Sequence, residues 1–221
     1  MNMMDVRHHP ENELLLAYAA GRLETGMRLV LCSHLELCPA CRKRVRALNA
    51  LGGVLLGEME PAAMASDALA RTLARIDAPA PLVERSKKVS APPPLPPGAI
   101  WPQALAHCSA TPWRWIGPGM RWSRVSVPEA PEANVFLLRI AAGKYLPVHT
   151  HSGQEATQIL YGRFHDGRAL FGPGDFDAAD ASIHHQPVVQ DGGECICLAS
   201  LSGRLRFDSS IARLFGSLVG M

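Results

Sequence analysis

No stretch of the chain approaches the roughly 20 consecutive apolar residues that a bilayer-spanning helix needs, so no membrane partner is expected. An excess of either charge is also missing. Basic side chains number 22 and acidic ones 20, and up to residue 85 there are ten of each sign. That balance removes the electrostatic case for a nucleic-acid or polyanionic partner. The opening "MNMMDVRHHPENE" lacks the apolar core of a secretory signal, which makes the cytoplasm the expected location. Cysteine is sparse, with six in 221 residues. In a cytoplasmic chain they point to metal or redox chemistry and not to a disulfide framework. Aromatic residues make up only 6%, yet 48% apolar and 19% charged content is ordinary for a chain with a packed core.

What the chain does have is punctuation. Seven prolines lie between Pro79 and Pro97, in "DAPAPLVERSKKVSAPPPLPPGAI". Such a run cannot continue a helix or sit within a sheet, and it favours an extended, semi-rigid spacer. The expected organisation is a helical domain over 1–78, a linker over 79–100 and a second domain over 101–221.

Before the linker the apolar spacing is helical. Leu14, Leu15 and Tyr18 share one face of a short helix, and Gly21 suits its C-terminal cap. A second helix is expected from about Thr25 to Leu37, with Met27, Val30, Leu31, His34 and Leu35 on or near one face. Pro39 fits the first turn of a third, carrying Val45, Leu48, Leu51 and Leu55. Ser66 is the expected cap of a fourth, with Leu69, Leu73 and Ile76 as a thin apolar stripe. After the linker, "VFLLRI", "ATQILYG", "PVVQ" and "ECICLASL" alternate with turn residues, the texture of an all-β sandwich or barrel. "SSIARLFGSL" reads as a short terminal helix.

Chemistry concentrates in two places. In "CSHLELCPAC", His34 and Cys38 are four residues apart on one helix face, and Cys41 lies one turn into the next helix. Three such ligands suit tetrahedral Zn²⁺, with His8 or His9 as the fourth. Two other readings of Cys38 and Cys41 are a redox dithiol and a pair of inert buried thiols. The second place is "GKYLPVHTHSGQEATQILYG". His149 and His151 face the same side of a strand, and Glu155 can return to the same point after a turn. Two imidazoles and a carboxylate accept several first-row metals. Cys195 and Cys197 lie two apart on an expected strand, where the plainest reading is small buried side chains. Cys32 and Cys108 have no evident partners. Trp101, Trp113, Trp115 and Trp122 are expected as core at the entrance of the second domain.

His9 followed by His34-x₃-Cys38-x₂-Cys41, with "YAAGRL" after the first helix, resembles the zinc-binding domain of bacterial anti-sigma factors. Gly143-x₅-His149-x-His151-x₃-Glu155-x₆-Gly162 has the form of the first cupin motif. Gly167, "GPGDF" and "IHHQP" give a looser second motif that lacks its usual asparagine. Together the two halves resemble ChrR-type anti-sigma factors over nearly the whole chain. The resemblance implies a multidomain α + β protein: a four-helix zinc-binding domain, then a cupin, the double-stranded β-helix or jelly-roll barrel. It implies zinc on His9, His34, Cys38 and Cys41. It also implies a second divalent metal on His149, His151, Glu155 and His185, zinc first, with iron, manganese or nickel as alternatives. His184, by alternation, would point out of the barrel. The implied function is that of a non-enzyme. It would sequester an extracytoplasmic-function sigma factor from RNA polymerase, until a stress such as singlet oxygen, sensed through the cupin, releases it. The rival is a metal-dependent cupin enzyme, such as a dioxygenase, with an appended zinc module; a third reading is a redox switch on Cys38 and Cys41.

Overall fold

The computed structural model describes residues 5–79 and 92–208. Four helices come first: α1 (Asn12–Ala19), α2 (Thr25–Leu37), α3 (Pro39–Gly57) and α4 (Ala68–Asp77). The strands are β1 (Ser109–Ala110), β2 (Arg114–Gly117), β3 (Met120–Ser126), β4 (Asn134–Ile140), β5 (His149–His151) and β6 (Glu155–Tyr161). They continue as β7 (Phe164–His165), β8 (Leu170–Phe171), β9 (Phe176–Ala179), β10 (Val188–Val189), β11 (Cys195–Leu201) and β12 (Leu205–Phe207).

Local chemistry sets the helix ends. Gly21 has φ +67°; its N–H bonds the Tyr18 carbonyl and that of Arg22 the Ala17 carbonyl, which closes α1 in a Schellman turn. Cys38 is extended between α2 and α3, and Pro39 opens α3 where its missing N–H costs nothing. Ser66 does not cap α4. The helix starts after Asp67, with Ser66 and Asp67 in a turn and no side chain capping the first N–H groups.

The main sheet is antiparallel, in the order β1-β3-β4-β11-β6-β9, with β2 also on β3. Smaller sheets β10-β7-β8 and β12-β5 close the other side. Alternation along β4 and β11 sorts their side chains. Phe136, Leu138, Ile140, Cys195, Cys197 and Ala199 pack into the barrel interior. Val135, Leu137 and Leu198 face outward and share a core with Leu15, Val30 and Leu31 of the helices. This shared core explains why "VFLLRI" and "CICLASL" are continuously apolar: both faces of the sheet are covered.

α2 makes that contact, lying across β6 and β11. Of its thirteen residues only Arg28 and Glu36 are exposed. Glu36 accepts the backbone N–H groups of Gln103 (3.0 Å) and Ala104 (2.6 Å), at the start of a single helical turn leading into the barrel. The last stretch of the proline-rich segment also lies on the barrel: Pro93 is buried, and the Pro94 carbonyl accepts Trp113 Nε1–H at 2.9 Å. The tryptophans do not gather at one entrance. Trp122 is in the barrel interior, Trp101 and Trp113 pack on the shared core, and Trp115 is exposed. The segment expected as a terminal helix lies outside the described residues.

Candidate metal centres

His9, His34, Cys38 and Cys41 converge, each offering one ligand atom within 4.8 Å of the others. His9 comes from the extended segment before α1, His34 from the end of α2, and the two cysteines flank the start of α3. His9 Nδ1 lies 3.3 Å from Cys38 Sγ and 3.5 Å from Cys41 Sγ, and His34 Nε2 lies 3.4 Å from Cys41 Sγ. Zn–N bonds of about 2.0 Å and Zn–S bonds of about 2.3 Å put tetrahedral N and S ligands about 3.5 Å apart, so the spacing fits. The His34 ring is already oriented. Its Nδ1–H donates to the Gly174 carbonyl at 2.8 Å, and because a carbonyl can only accept, Nε2 keeps its lone pair for a metal. Burial lowers the His34 imidazole to about 4, against the raising effect of that carbonyl. Burial, reinforced by Cys38, pushes the Cys41 thiol up to about 12. A divalent cation would reverse that cost by taking the thiolate as ligand. His8 lies outside the cluster: its Nε2–H donates to the Leu170 carbonyl and its ring rests on Phe171.

The second centre lies in the barrel. His151 Nε2 is 3.2 Å from His185 Nε2 and 3.2 Å from Glu155 Oε2, and His185 Nε2 is 3.1 Å from His149 Nε2. Tetrahedral nitrogen ligands at about 2.0 Å from a zinc ion stand about 3.3 Å apart, again a fit. β5 supplies His149 and His151 on one side, β6 begins with Glu155, and an isolated bridge pairs His149 with His185. Burial lowers His149 to about 4 and His151 to about 3, so both rings are neutral, the form that binds metal. Burial also raises the Glu155 carboxyl to about 7. His149 Nδ1–H donates to the Pro147 carbonyl at 2.8 Å. His184 is exposed and pairs with Asp208.

The sequence reading passed over the acidic groups behind His185. His185 Nδ1 faces Asp166 Oδ2 at 3.4 Å. Asp166 is held by the backbone N–H groups of Arg168 and Ala169 and by the Arg168 guanidinium, which also grips both oxygens of Asp177 at 2.9 Å. Burial opposes ionisation of Asp166, but the His185 bond, followed by the Ala169 and Arg168 donors, outweighs it and holds the carboxyl well below its ordinary range. Asp177, dominated by burial, is raised to about 6. Asp166, Asp177 and His185 also satisfy metal-ligand spacing, yet the Arg168 cation fills that position. The only sequence hint was "HDGR", a turn with opposite charges two apart.

A cavity of about 50 Å³ adjoins the barrel centre, walled by Phe136, Leu138, Ile140, Cys195 and Cys197. The two thiols are 3.7 Å apart and buried. Cys32, without an evident partner in sequence, reaches Tyr18 Oη at 3.5 Å.

Residues 102–202 match the ChrR cupin-like domain family. The anti-sigma-E factor ChrR of Cereibacter sphaeroides is 37% identical over 211 residues, covering 96% of this chain and 97% of that protein. The chain belongs to the ChrR family. A crystal structure of Rhodobacter sphaeroides SigE in complex with the anti-sigma ChrR superposes on 89% of this chain and 100% of that one. The TM-score is 0.70 and the identity 36%. Helices followed by a cupin-like β domain are thus the architecture of this ChrR-family chain. Among its described residues no helix is long and apolar enough to cross a membrane.

Proposed function

We propose that this chain is an anti-sigma factor that binds an extracytoplasmic-function sigma factor one to one and keeps it from RNA polymerase. The observation that carries this reading is the apolar surface of α3 and α4. No residue of α4 is buried, and Leu69, Leu73 and Ile76 on one face are 72%, 51% and 72% exposed. Leu51, Val54, Leu55 and Leu56 in the second half of α3 are 55–69% exposed. A ten-residue helix is shorter than the roughly 12–15 residues at which isolated helices become marginal in water. α4 therefore needs a partner to bury its stripe, as amphipathic helices do in grooves. What supports a sigma factor as that partner is the family and the SigE bound to the related ChrR.

In this reading zinc joins the segment before α1 to α2 and α3 and preserves the surface that leads to α4. A domain under 80 residues has little core of its own, and a structural metal supplies folding free energy directly. A second divalent metal, zinc first, belongs to His149, His151, Glu155 and His185, and the protein acts in the cytoplasm. The release signal is an oxidant such as singlet oxygen, read in the cupin. Cys195 and Cys197, both buried, line the same cavity as His149 and Glu155, where a small oxidant that entered would meet them. That cavity, at about 50 Å³, has room for a few water molecules.

The test is to tag the protein in its host, purify it gently, and measure both the retained protein and the metal per chain. A stoichiometric sigma factor, lost on Cys38→Ser or Cys41→Ser, supports the reading. Metal confined to the cupin, with no sigma factor retained, overturns it.

A further inference from the structure

We propose that the metal site of the helical domain is completed by the cupin, through residues 172–177, and that this run couples the two metal centres energetically. The inference rests on the reading that both centres hold metal. It concerns residues that are not ligands, and its test separates the two ideas.

The barrel side orients one histidine of the four-ligand site and anchors the backbone just before the other. His34 is fixed by the Gly174 carbonyl, so the tautomer and ring direction of a ligand on α2 are set by a residue 140 positions later. His9 sits at the end of an extended segment that has no helix to hold it. That segment is tied down by Asp175, whose Oδ1 accepts the Arg7 N–H at 2.6 Å and the His8 N–H at 2.9 Å. The Phe176 N–H returns a bond to the His8 carbonyl at 3.1 Å. Asp175 Oδ2 accepts the Gly172 N–H at 2.8 Å, which fixes the turn that presents all of these groups. Gly174 has φ +89°, and a Cβ there would stand 2.9 Å from Val6 Cγ2, so only glycine lets the segment cross so closely. The Phe176 ring, buried, meets the His34 ring edge-on at 5.6 Å.

The next residue faces the other centre. Asp177 is gripped by Arg168, Arg168 holds Asp166, and Asp166 faces His185 Nδ1. β9 pairs with β6 so that Asp177 lies opposite Thr157 and Ala179 opposite Glu155. Successive residues of one short strand thus serve as outer partners of two different centres. Outer partners of metal ligands typically change affinity by about 10- to 100-fold when removed. Coupling of this kind is reciprocal: whatever the cupin metal does to the four-ligand site, that site does in return. A change at the cupin centre is thereby felt at the ligands that hold the helical domain in its partner-binding form.

Cobalt(II) distinguishes the sites in the intact chain, because thiolate-to-cobalt absorption arises where Cys38 and Cys41 bind and not at three histidines and a glutamate. Metal-free, reduced full-length protein is titrated with Co²⁺, using Cys38→Ser to verify the band. Asp175→Ala is expected to weaken the thiolate site by about 10- to 100-fold. Asp175→Asn, which keeps one acceptor oxygen and serves if the alanine variant does not fold, should fall between it and the parent. Glu132→Ala, an exposed carboxylate on the same domain, should leave it unchanged. His149→Ala, which empties the cupin, and Arg168→Ala, which cuts the link, should each shift the thiolate-site affinity at least several-fold. No thiolate band in the parent protein would sink the metal reading itself. A normal band whose affinity ignores Asp175→Asn, His149→Ala and Arg168→Ala would overturn the coupling while leaving that reading intact.

Discussion

Gly26 of α2 lies so close to Ser200 of β11 that a Cβ built on it would stand 2.3 Å from Ser200 Oγ and 3.1 Å from Val135 Cγ2. A serine hydroxyl can rotate away from a methyl group, but a branched side chain leaves it nowhere to go. Gly26→Val is expected to cost about 1–3 kcal/mol of contact between helices and barrel. Calorimetry should show one unfolding transition in the parent and two in the variant. A single unshifted transition in Gly26→Val would mean the helices do not rest on β11 in solution.

Gln158 is fully buried on β6, and among the described residues neither its Oε1 nor its Nε2 has a hydrogen-bond partner. Alternation puts it on the outward face with Ala156 and Leu160, both packed into the core shared with the helices. Unpaired buried polar groups cost about 1–3 kcal/mol each. Gln158→Met should therefore raise the melting temperature by several degrees. A fall would show that the amide is bonded there.

Leu73→Asp should leave the isolated protein as stable as before, within about 0.5 kcal/mol, because the side chain is half exposed and α4 buries nothing. Affinity for the sigma factor should drop by about 30-fold or more, the effect of losing a central apolar anchor worth about 2 kcal/mol. Titration calorimetry reads both the affinity and the stoichiometry. Unchanged affinity would move the docking surface off α4.

Gly162 has φ +71°, and a Cβ there would fall 2.0 Å from the Glu194 carbonyl oxygen. The obstacle is backbone, which cannot rotate aside. Gly162→Ala is expected to destabilise by about 3 kcal/mol or more, read as a shift in urea midpoint. A shift below about 0.5 kcal/mol would contradict the close approach of these two chain segments.

Asp166 sets an acid limit. Its carboxyl is held below its ordinary range in the folded protein, so the stability it contributes is fully present above the unfolded value of about 3.9. That contribution disappears as pH falls toward the folded value. In Asp166→Asn the loss of stability between about pH 5 and pH 2 should be shallower than in the parent protein. Parallel curves would show that Asp166 is not ionised against Arg168.

Much of this was legible in sequence. The breaks at Gly21 and Pro39 and the bounds of α2 follow from capping chemistry that acts over a few residues. His9, His34, Cys38 and Cys41 converge in the structure, and so do His149, His151, Glu155 and His185. The start of α4 was misplaced because Ser66 and Asp67 both have capping side chains, and neither is used. Docking of the halves was missed although its signal was present. The unbroken apolar runs of β4 and β11 require cover on both faces, and a linker rich in proline hid the inference. Arg168 with Asp166 and Asp177 was out of reach, since nothing in a single sequence brings the turn between β7 and β8 and a residue of β9 against His185.

α2 has no free side. Its faces are divided between the other helices, the barrel and the turn that Glu36 caps, leaving Arg28 as the sole side chain given wholly to solvent. Natural or engineered exchange of sensor halves among relatives therefore has to treat this helix as belonging to both modules. A chimera joined in the proline-rich segment would inherit a helix cut to fit one barrel and resting on another. Such a hybrid should keep partner recognition but lose the response, unless Gly26, Glu36 and the 172–177 turn travel together.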